Sequence, residues 1–382
     1  MGVSQSLECF YGSDAEAPTQ RKPSRYCRFL QGHTDEVLGC ALSANGKLAL
    51  SASADKTCIL WNTHDATPIR KLEGHKEVVW DCALSADATI ALTVSLDTTC
   101  IVWNTHDGTR IHTLKGHKDG VFGCALSNNG KLALSSSADG TCILWNTDDG
   151  TSIRTFRGHE GIVFSCALSA DGKIALSAGQ DTTCILWNTS NGMSIHTLRG
   201  HSMKVCDCAL SADGELALSA SADDSCILWN TSNGKPIRTL ATKERRMNNH
   251  GLVSYRKYHR SRVMGCDLTA NGKFAISASM DKTCSIWETS TGRASRPWRD
   301  HNVYVNTCAI SADGMQAISG DSDTCALWDT RIPQQDTNGI HTAICRDLGS
   351  KLKMLHGELE LALFGQERYS LLFRQKNRSV SI

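Results

Sequence analysis

Short apolar runs alternate with polar turns along residues 25–330, and the pattern returns every forty-two residues. In the first unit VLGCALS is a β-branched, apolar run closed by Asn45-Gly46, a hairpin-turn dipeptide. KLALSAS follows as a second strand, ADK as a turn, TCILWN as a third strand and TPIRKL as a fourth. Later units turn at Asp149-Gly150 or Asn191-Gly192. Gly-His begins at Gly32, Gly74, Gly116, Gly158 and Gly200, and persists in degraded form at Tyr258-His259 and Asp300-His301. Tryptophan follows at Trp61, Trp103, Trp145, Trp187, Trp229, Trp287 and Trp328. The step from Trp229 to Trp287 is 58, one period plus an insertion of 16 within about residues 241–257, and the last step is 41.

Seven such units, each of four short antiparallel strands with Gly-His and tryptophan at fixed places, resemble the WD40 β-propeller repeat. The resemblance covers residues 25–330, roughly 80% of the chain. It implies an all-β fold, a seven-bladed ring of four-stranded antiparallel blades. The stretch SRYCRFLQ matches the fourth strand of later units, such as TSIRTFR. Propellers of this family close by letting such an N-terminal strand complete the last blade, which leaves few exposed sheet edges. Its regular spacing to the first Gly-His favours residues 25–31 over the rival segment 336–344, DTNGIHTAI.

Composition narrows the class. Hydrophobic residues make up 41% of the chain and suffice for a core, while a net charge of +1 gives no global attraction to nucleic acid or membrane. No apolar stretch is long enough for a transmembrane helix, and the N-terminus lacks a secretory signal, so a cytoplasmic location is expected. Residues 1–24 are small and polar and are expected to be disordered. Met1-Gly2-Val3-Ser4-Gln5-Ser6 matches the N-myristoylation pattern, with Gly2 as acceptor and Cys9 available for a second acyl chain at a membrane surface. The tail, residues 331–382, has no repeat register; KLKMLHGELELALF within it has the leucine spacing of a docking helix.

Each unit carries a histidine, a Ser or Thr, an aspartate and a tryptophan in fixed register: His33, Ser51, Asp55, Trp61 in the first. The set recurs as His75, Thr93, Asp97, Trp103; His117, Ser135, Asp139, Trp145; and His159, Ser177, Asp181, Trp187. It continues as His201, Ser219, Asp223, Trp229 and His259, Ser277, Asp281, Trp287; in unit seven Asp321 and Asp323 compete for the acidic place. Ser, His and Asp are the components of a hydrolytic triad. Repetition argues against catalysis, because an active site is normally a single asymmetric arrangement. The family resemblance implies instead a hydrogen-bonded chain stapling the strands of each blade.

The eighteen cysteines fall mostly into two sets. One lies seven residues after the histidine (Cys40, Cys82, Cys124, Cys166, Cys208, Cys266, Cys308) and the other three before the tryptophan (Cys58, Cys100, Cys142, Cys184, Cys226, Cys284, Cys325). They belong to strands one and three of a blade, ~9–10 Å apart, beyond disulfide reach. No Cys-x-x-Cys pair suggests a zinc site, so apolar packing is expected, with no metal and no cofactor.

Function should then sit where the blades differ. In related propellers the face bearing the histidine loops and aspartate turns, the top face, often binds peptides. Positions three and five after the histidine, with the residue before the turn aspartate, give Glu36, Val78, Trp80, Leu96, Phe122, Ile162, Phe164, Lys204, Arg262, Met264 and Tyr304. Large aromatic anchors dominate interface hot spots. The insertion adds Lys243, Arg245, Arg246, Arg256 and Lys257 beside blades five and six, a basic patch suited to acidic or phosphorylated segments. The expected function is a non-enzymatic protein-interaction scaffold or adaptor, a monomeric propeller within a larger complex, with no nucleic-acid partner. In the last unit Trp328-Asp329-Thr330-Arg331 resembles the W-D-x-R box of ubiquitin-ligase substrate receptors, which makes Trp328, Asp329 and Arg331 the adaptor-binding alternative. A G-protein β-like role is disfavoured because residues 1–24 are too short and aperiodic for a coiled-coil helix.

Overall fold

A computed structural model describes residues 27–240, 244–247, 253–256, 259–295, 297–322 and 324–330. Gly2, Cys9, Lys243, Lys257, Arg331, segment 336–344 and the leucine-spaced tail stretch lie outside the described residues, as do the side chains of Arg245, Arg246 and Arg256.

Blade one is built from Val37–Leu42, Leu48–Ser53, Thr57–Asn62 and Thr67–Glu73, hydrogen-bonded in that order. Blades two to five repeat it, their innermost strands being Val79–Leu84, Val121–Leu126, Val163–Leu168 and Val205–Leu210. Blade six begins at Val263–Leu268, and its outermost strand shrinks to Arg293–Ala294. Trp298, where blade one has Leu72, restores the edge: its N–H donates to Cys284 O at 2.8 Å, and its ring stacks on Trp328 at 4.5 Å. Blade seven supplies three strands, Val305–Ile310, Gln316–Asp321 and Cys325–Asp329. Cys27–Leu30 pairs with the last of these, Cys27 opposite Trp328, so the chain closes the ring through its N-terminal strand. The insertion forms a hairpin of Glu244–Met247 against Val253–Arg256.

Each blade has two apolar faces, and each face is buried against a neighbour. Leu50, Ala52, Cys58, Leu60 and Leu72 of blade one meet Val79, Cys82, Ala91, Ile101 and Trp103 of blade two, and six equivalent cores complete the circuit. The two cysteines of a blade therefore belong to different cores, Cys40 facing blade seven and Cys58 facing blade two. All sixteen described cysteines are free and buried.

Polar clips reinforce these cores at the periphery. Arg70 Nε donates to His106 O at 3.0 Å, Arg154 Nη2 to Ser190 O at 2.8 Å and Arg238 Nη2 to Ser290 O at 3.0 Å, each reaching the following blade. Imidazole N–H groups of His112 and His196 do the same toward Asp148 O and Ser232 O. On the bottom, a relay of backbone bonds runs Ala86, Asn128, Ala170, Ala212, Ala270, Ala312, each N–H donating to the next carbonyl.

The innermost strand of every blade carries a β-bulge at the same place, between Val37 and Gly39 in blade one and between Val79 and Asp81 in blade two. The extra residue is the fifth after the histidine, and bulges re-aim side chains. One side chain per blade is thus displaced from the alternation that fills the cores.

Closure is testable through Leu30, which is 3% exposed and shares a core with Val37, Ile59, Trp61 and Leu327. Leu30→Ala should cost about 2–4 kcal/mol in chemical denaturation by leaving a cavity at the seam. Ile69→Ala, on the outer strand of blade one and 44% exposed, is the control and should stay within about 0.5 kcal/mol of wild type.

Candidate functional site

The recurrent polar set forms one relay per blade. Tryptophan Nε1–H donates to the Ser or Thr hydroxyl at 2.8–2.9 Å in all seven blades. That hydroxyl lies 2.6–2.9 Å from histidine Nε2. Nδ1 faces the aspartate at 2.6–3.3 Å. An ionised carboxylate only accepts, so Nδ1–H donates to it, Nε2 accepts, and the hydroxyl donates to Nε2. Every proton is used once. Deep burial of Ser51, Thr93 and Ser135, 0% exposed, leaves no path for a substrate to the hydroxyl.

Blade seven obeys the same logic through a different residue. Asp321, at the end of a strand and twenty residues after His301, accepts from Nδ1 at 2.6 Å. In the other blades that separation is twenty-two, with the aspartate in the turn. Asp321 therefore takes the acidic place, and Trp328, 2% exposed, donates to Ser319 Oγ at 2.8 Å. The tryptophan of the W-D-x-R box is thus buried in the relay.

Burial pushes Cys100 up to about 12, and Cys206 up to about 11 despite the opposing pull of Lys204 and Arg262.

Asymmetry appears at the top mouth of the channel. The bulged residues of the seven blades, Leu38, Trp80, Phe122, Phe164, Cys206, Met264 and Asn306, come together around one pocket of about 670 Å³ with its open mouth included. Trp80, Phe122, Phe164 and Met264 were expected from sequence at this face; Leu38, Cys206 and Asn306 complete the ring. Trp80 meets Phe122 edge to face at 4.8 Å, and Phe122 meets Phe164 at 6.0 Å. Phe122 and Phe164 are 4% and 6% exposed, whereas Trp80 is half-buried. The two phenylalanines hold each other, and Trp80 presents more surface. Lys204 Nζ sits 5.0 Å from the Phe164 ring centroid.

The other expected positions lie outside the pocket lining. Glu36, Val78, Ile162, Lys204, Arg262 and Tyr304 are half-buried at the starts of the innermost strands. Leu96 N–H donates to Val78 O at 3.0 Å, which brings those two expected residues together. Leu96 also covers Gly120 of blade three, where a Cβ would meet its Cδ2 at 2.8 Å.

Sequence reasoning missed the acids of the channel wall. Asp81 Oδ1 accepts from Cys82 N–H at 2.8 Å and Oδ2 from Cys124 N–H of blade three at 3.0 Å. Asp207 bridges to Cys266 N–H at 2.8 Å and accepts the Ser165 hydroxyl at 2.6 Å, joining blades four, five and six. Asp267 accepts from Leu268 N–H at 2.8 Å and from Ile310 N–H of blade seven at 2.9 Å. A signal existed. Six after the histidine the blades read Gly39, Asp81, Gly123, Ser165, Asp207, Gly265 and Thr307, a scatter among near-identical repeats, and Asp267 stands where the other six blades have alanine.

Two opposite titrations result. In Asp55, Asp97, Asp139, Asp181, Asp223 and Asp281, burial alone would raise the carboxyl, but the hydrogen bonds from histidine, neighbouring hydroxyls and backbone N–H outweigh it and hold it low, at about 2 for Asp281. Their stabilisation is complete above the unfolded value of about 4 and is lost as pH falls below it. Burial in the channel wall pushes Asp81 and Asp267 up to about 7 and Asp207 up to about 6. Their contribution is complete below about pH 4 and is lost as pH rises through 6–7. Urea midpoints measured from pH 3 to 8 should fall on both sides of a maximum. In Asp267→Asn the alkaline decline should shrink while the acid limb stays. That variant should also be less stable at pH 5, because its amide NH₂ meets a backbone N–H.

Seven matches to the family model described as WD domain, G-beta repeat fall on residues 24–62, 66–104, 108–146, 150–188, 192–230, 252–288 and 292–329. Together they span about seven-tenths of the chain, with one match for each blade. Propellers of this family are generally protein-interaction scaffolds and typically lack enzymatic activity. With seven matched repeats and seven four-stranded blades closed in a ring, the chain belongs to the WD40 family.

Proposed function

We propose that this propeller is a non-enzymatic scaffold or adaptor that binds partner peptides or proteins on its top face. The observation that carries the proposal is where the repeats diverge. Cores, turns and relays are near-duplicates from blade to blade, whereas the bulged positions read Leu, Trp, Phe, Phe, Cys, Met, Asn and converge on one concave pocket. Concave, largely apolar pockets with a few polar groups are the usual seats of ligands. Blades two to four offer Trp80, Phe122 and Phe164 to an apolar part of the partner. Lys204 and Arg262, with the basic residues of the insertion, favour acidic or phosphorylated groups over blades five and six. Acylation at Gly2, with Cys9, would add a tether to a membrane surface; the sequence pattern at residues 1–6 is its support.

Proximity labelling with the full chain is the test. Trp80→Ala/Phe122→Ala/Phe164→Ala should lose most of the partners recovered by wild type. Because two of these rings are buried, Lys204→Glu/Arg262→Glu serves as a second variant that leaves the three rings in place. Wild-type recovery by both variants, each with an unaltered melting curve, would exclude the top face as the binding surface.

A further inference from the structure

The pocket's walls and floor call for the same kind of ligand. Asp81 and Asp207 line it beneath the aromatic rings. A carboxylate offers about four acceptor positions. Asp81 uses two of them, on Cys82 N–H and Cys124 N–H, and Asp207 uses three, on Cys208 N–H, Ser165 Oγ–H and Cys266 N–H. Acceptor capacity remains on both. Among the described residues no lysine, arginine or histidine is hydrogen-bonded or ion-paired to either. What bears on them is burial, these neutral donors and, for Asp81, the like charge of Asp207. The floor thus offers two buried carboxyl groups with unused acceptor capacity, and a cation bound there would favour their ionised form.

The walls act in the same sense. Aromatic faces carry negative potential and attract cations, most strongly away from water. Lys204 already sits over the Phe164 ring at 5.0 Å. A neutral apolar anchor would satisfy the rings but strip water from two carboxylates, and an anion would be repelled by the floor. Between the two cationic side chains, guanidinium suits the site better: it is planar, stacks on aromatic rings and presents a fork of donors to carboxylates.

We propose that the pocket takes one arginine side chain of a partner peptide. Its guanidinium would stack against the Trp80–Phe122–Phe164 arc and donate to Asp81 and Asp207, while acidic residues flanking that arginine meet Lys204 and Arg262 at the rim. This rests on the top-face scaffold function proposed above and specifies its partner as a segment with a basic centre and acidic flanks. The basic rim and the acidic floor are then complementary.

A randomised peptide library displayed on phage and selected on the immobilised full chain provides the probe. The enriched sequences should share one fixed arginine with an acidic residue within a few positions. In a synthetic copy, replacing that arginine with citrulline, its neutral isostere, should weaken binding to wild type roughly thirtyfold or more, the loss expected when one partner of a desolvated charge pair is removed. Asp81→Asn/Asp207→Asn should show a similar loss, and the citrulline comparison needs no variant protein. If enriched peptides lack arginine, or tolerate citrulline, and still lose binding to Trp80→Ala, the arginine proposal falls and the top-face function stands. If enriched peptides bind wild type, Trp80→Ala and Lys204→Glu/Arg262→Glu equally, or if none is enriched, both fall.

Discussion

In each blade a tryptophan N–H, a hydroxyl, an imidazole and a carboxylate are joined in one direction of proton donation. The direction is forced by the only member that cannot donate, the aspartate. Histidine must then carry its proton on Nδ1, and the Ser or Thr hydroxyl must spend its single proton on Nε2. Buried polar groups are stabilising when all are satisfied and costly when one is not, so the set behaves as a unit. Its geometric effect is specific. It ties the loop before the innermost strand to the second strand, to the turn after it, and to the third strand.

Fixing that loop also fixes the start of the innermost strand. Val37 and its equivalents are drawn into the inter-blade cores, and the next residue is displaced by the bulge toward the channel mouth. The same device repeated seven times builds a ring of side chains whose backbone is uniform and whose chemistry is free to vary. The core cannot vary in this way, because each blade must fit two neighbours. The channel wall is intermediate. A glycine is needed at residue 39, where a Cβ would lie 2.6 Å from Asp81 Cα, yet the equivalent place in blades two and five holds a carboxylate that satisfies the backbone of the next blade.

This division explains which features were legible in the sequence. The forty-two-residue period, the alternation of apolar runs and the Asn-Gly and Asp-Gly turns mark the strands and blades, and the resemblance to WD40 repeats implies the relay. The match of SRYCRFLQ to the outer strands identified the closing strand. The bulge was not legible, because Val-x-x-Cys reads as an ordinary apolar strand and a one-residue register shift leaves no compositional trace. Without it, positions three and five after the histidine had equal standing, whereas only the fifth lines the pocket. The acids stand at positions six (Asp81, Asp207) and eight (Asp267) after the histidine, inside a run that reads as a packed strand. Trp298 leaves no signal because its outer strand is degraded, and the choice between Asp321 and Asp323 stays open in the sequence because the shortened blade moves the carboxylate from turn to strand end.

The recurrence of histidine, serine and aspartate is thus a property of the frame, and the informative residues are those that break the repeat. The tautomer of the seven relay histidines tests this most directly, since the frame permits only one. Long-range ¹H–¹⁵N correlation spectra of histidine-labelled protein at neutral pH should show His33, His75, His117, His159, His201, His259 and His301 protonated on Nδ1, with Nε2 bare. Protonation on Nε2 would contradict the account, because the hydroxyl proton would then turn from the histidine to the third-strand carbonyl, 3.5 Å away at Ile59 in blade one, and the one-way relay would not exist.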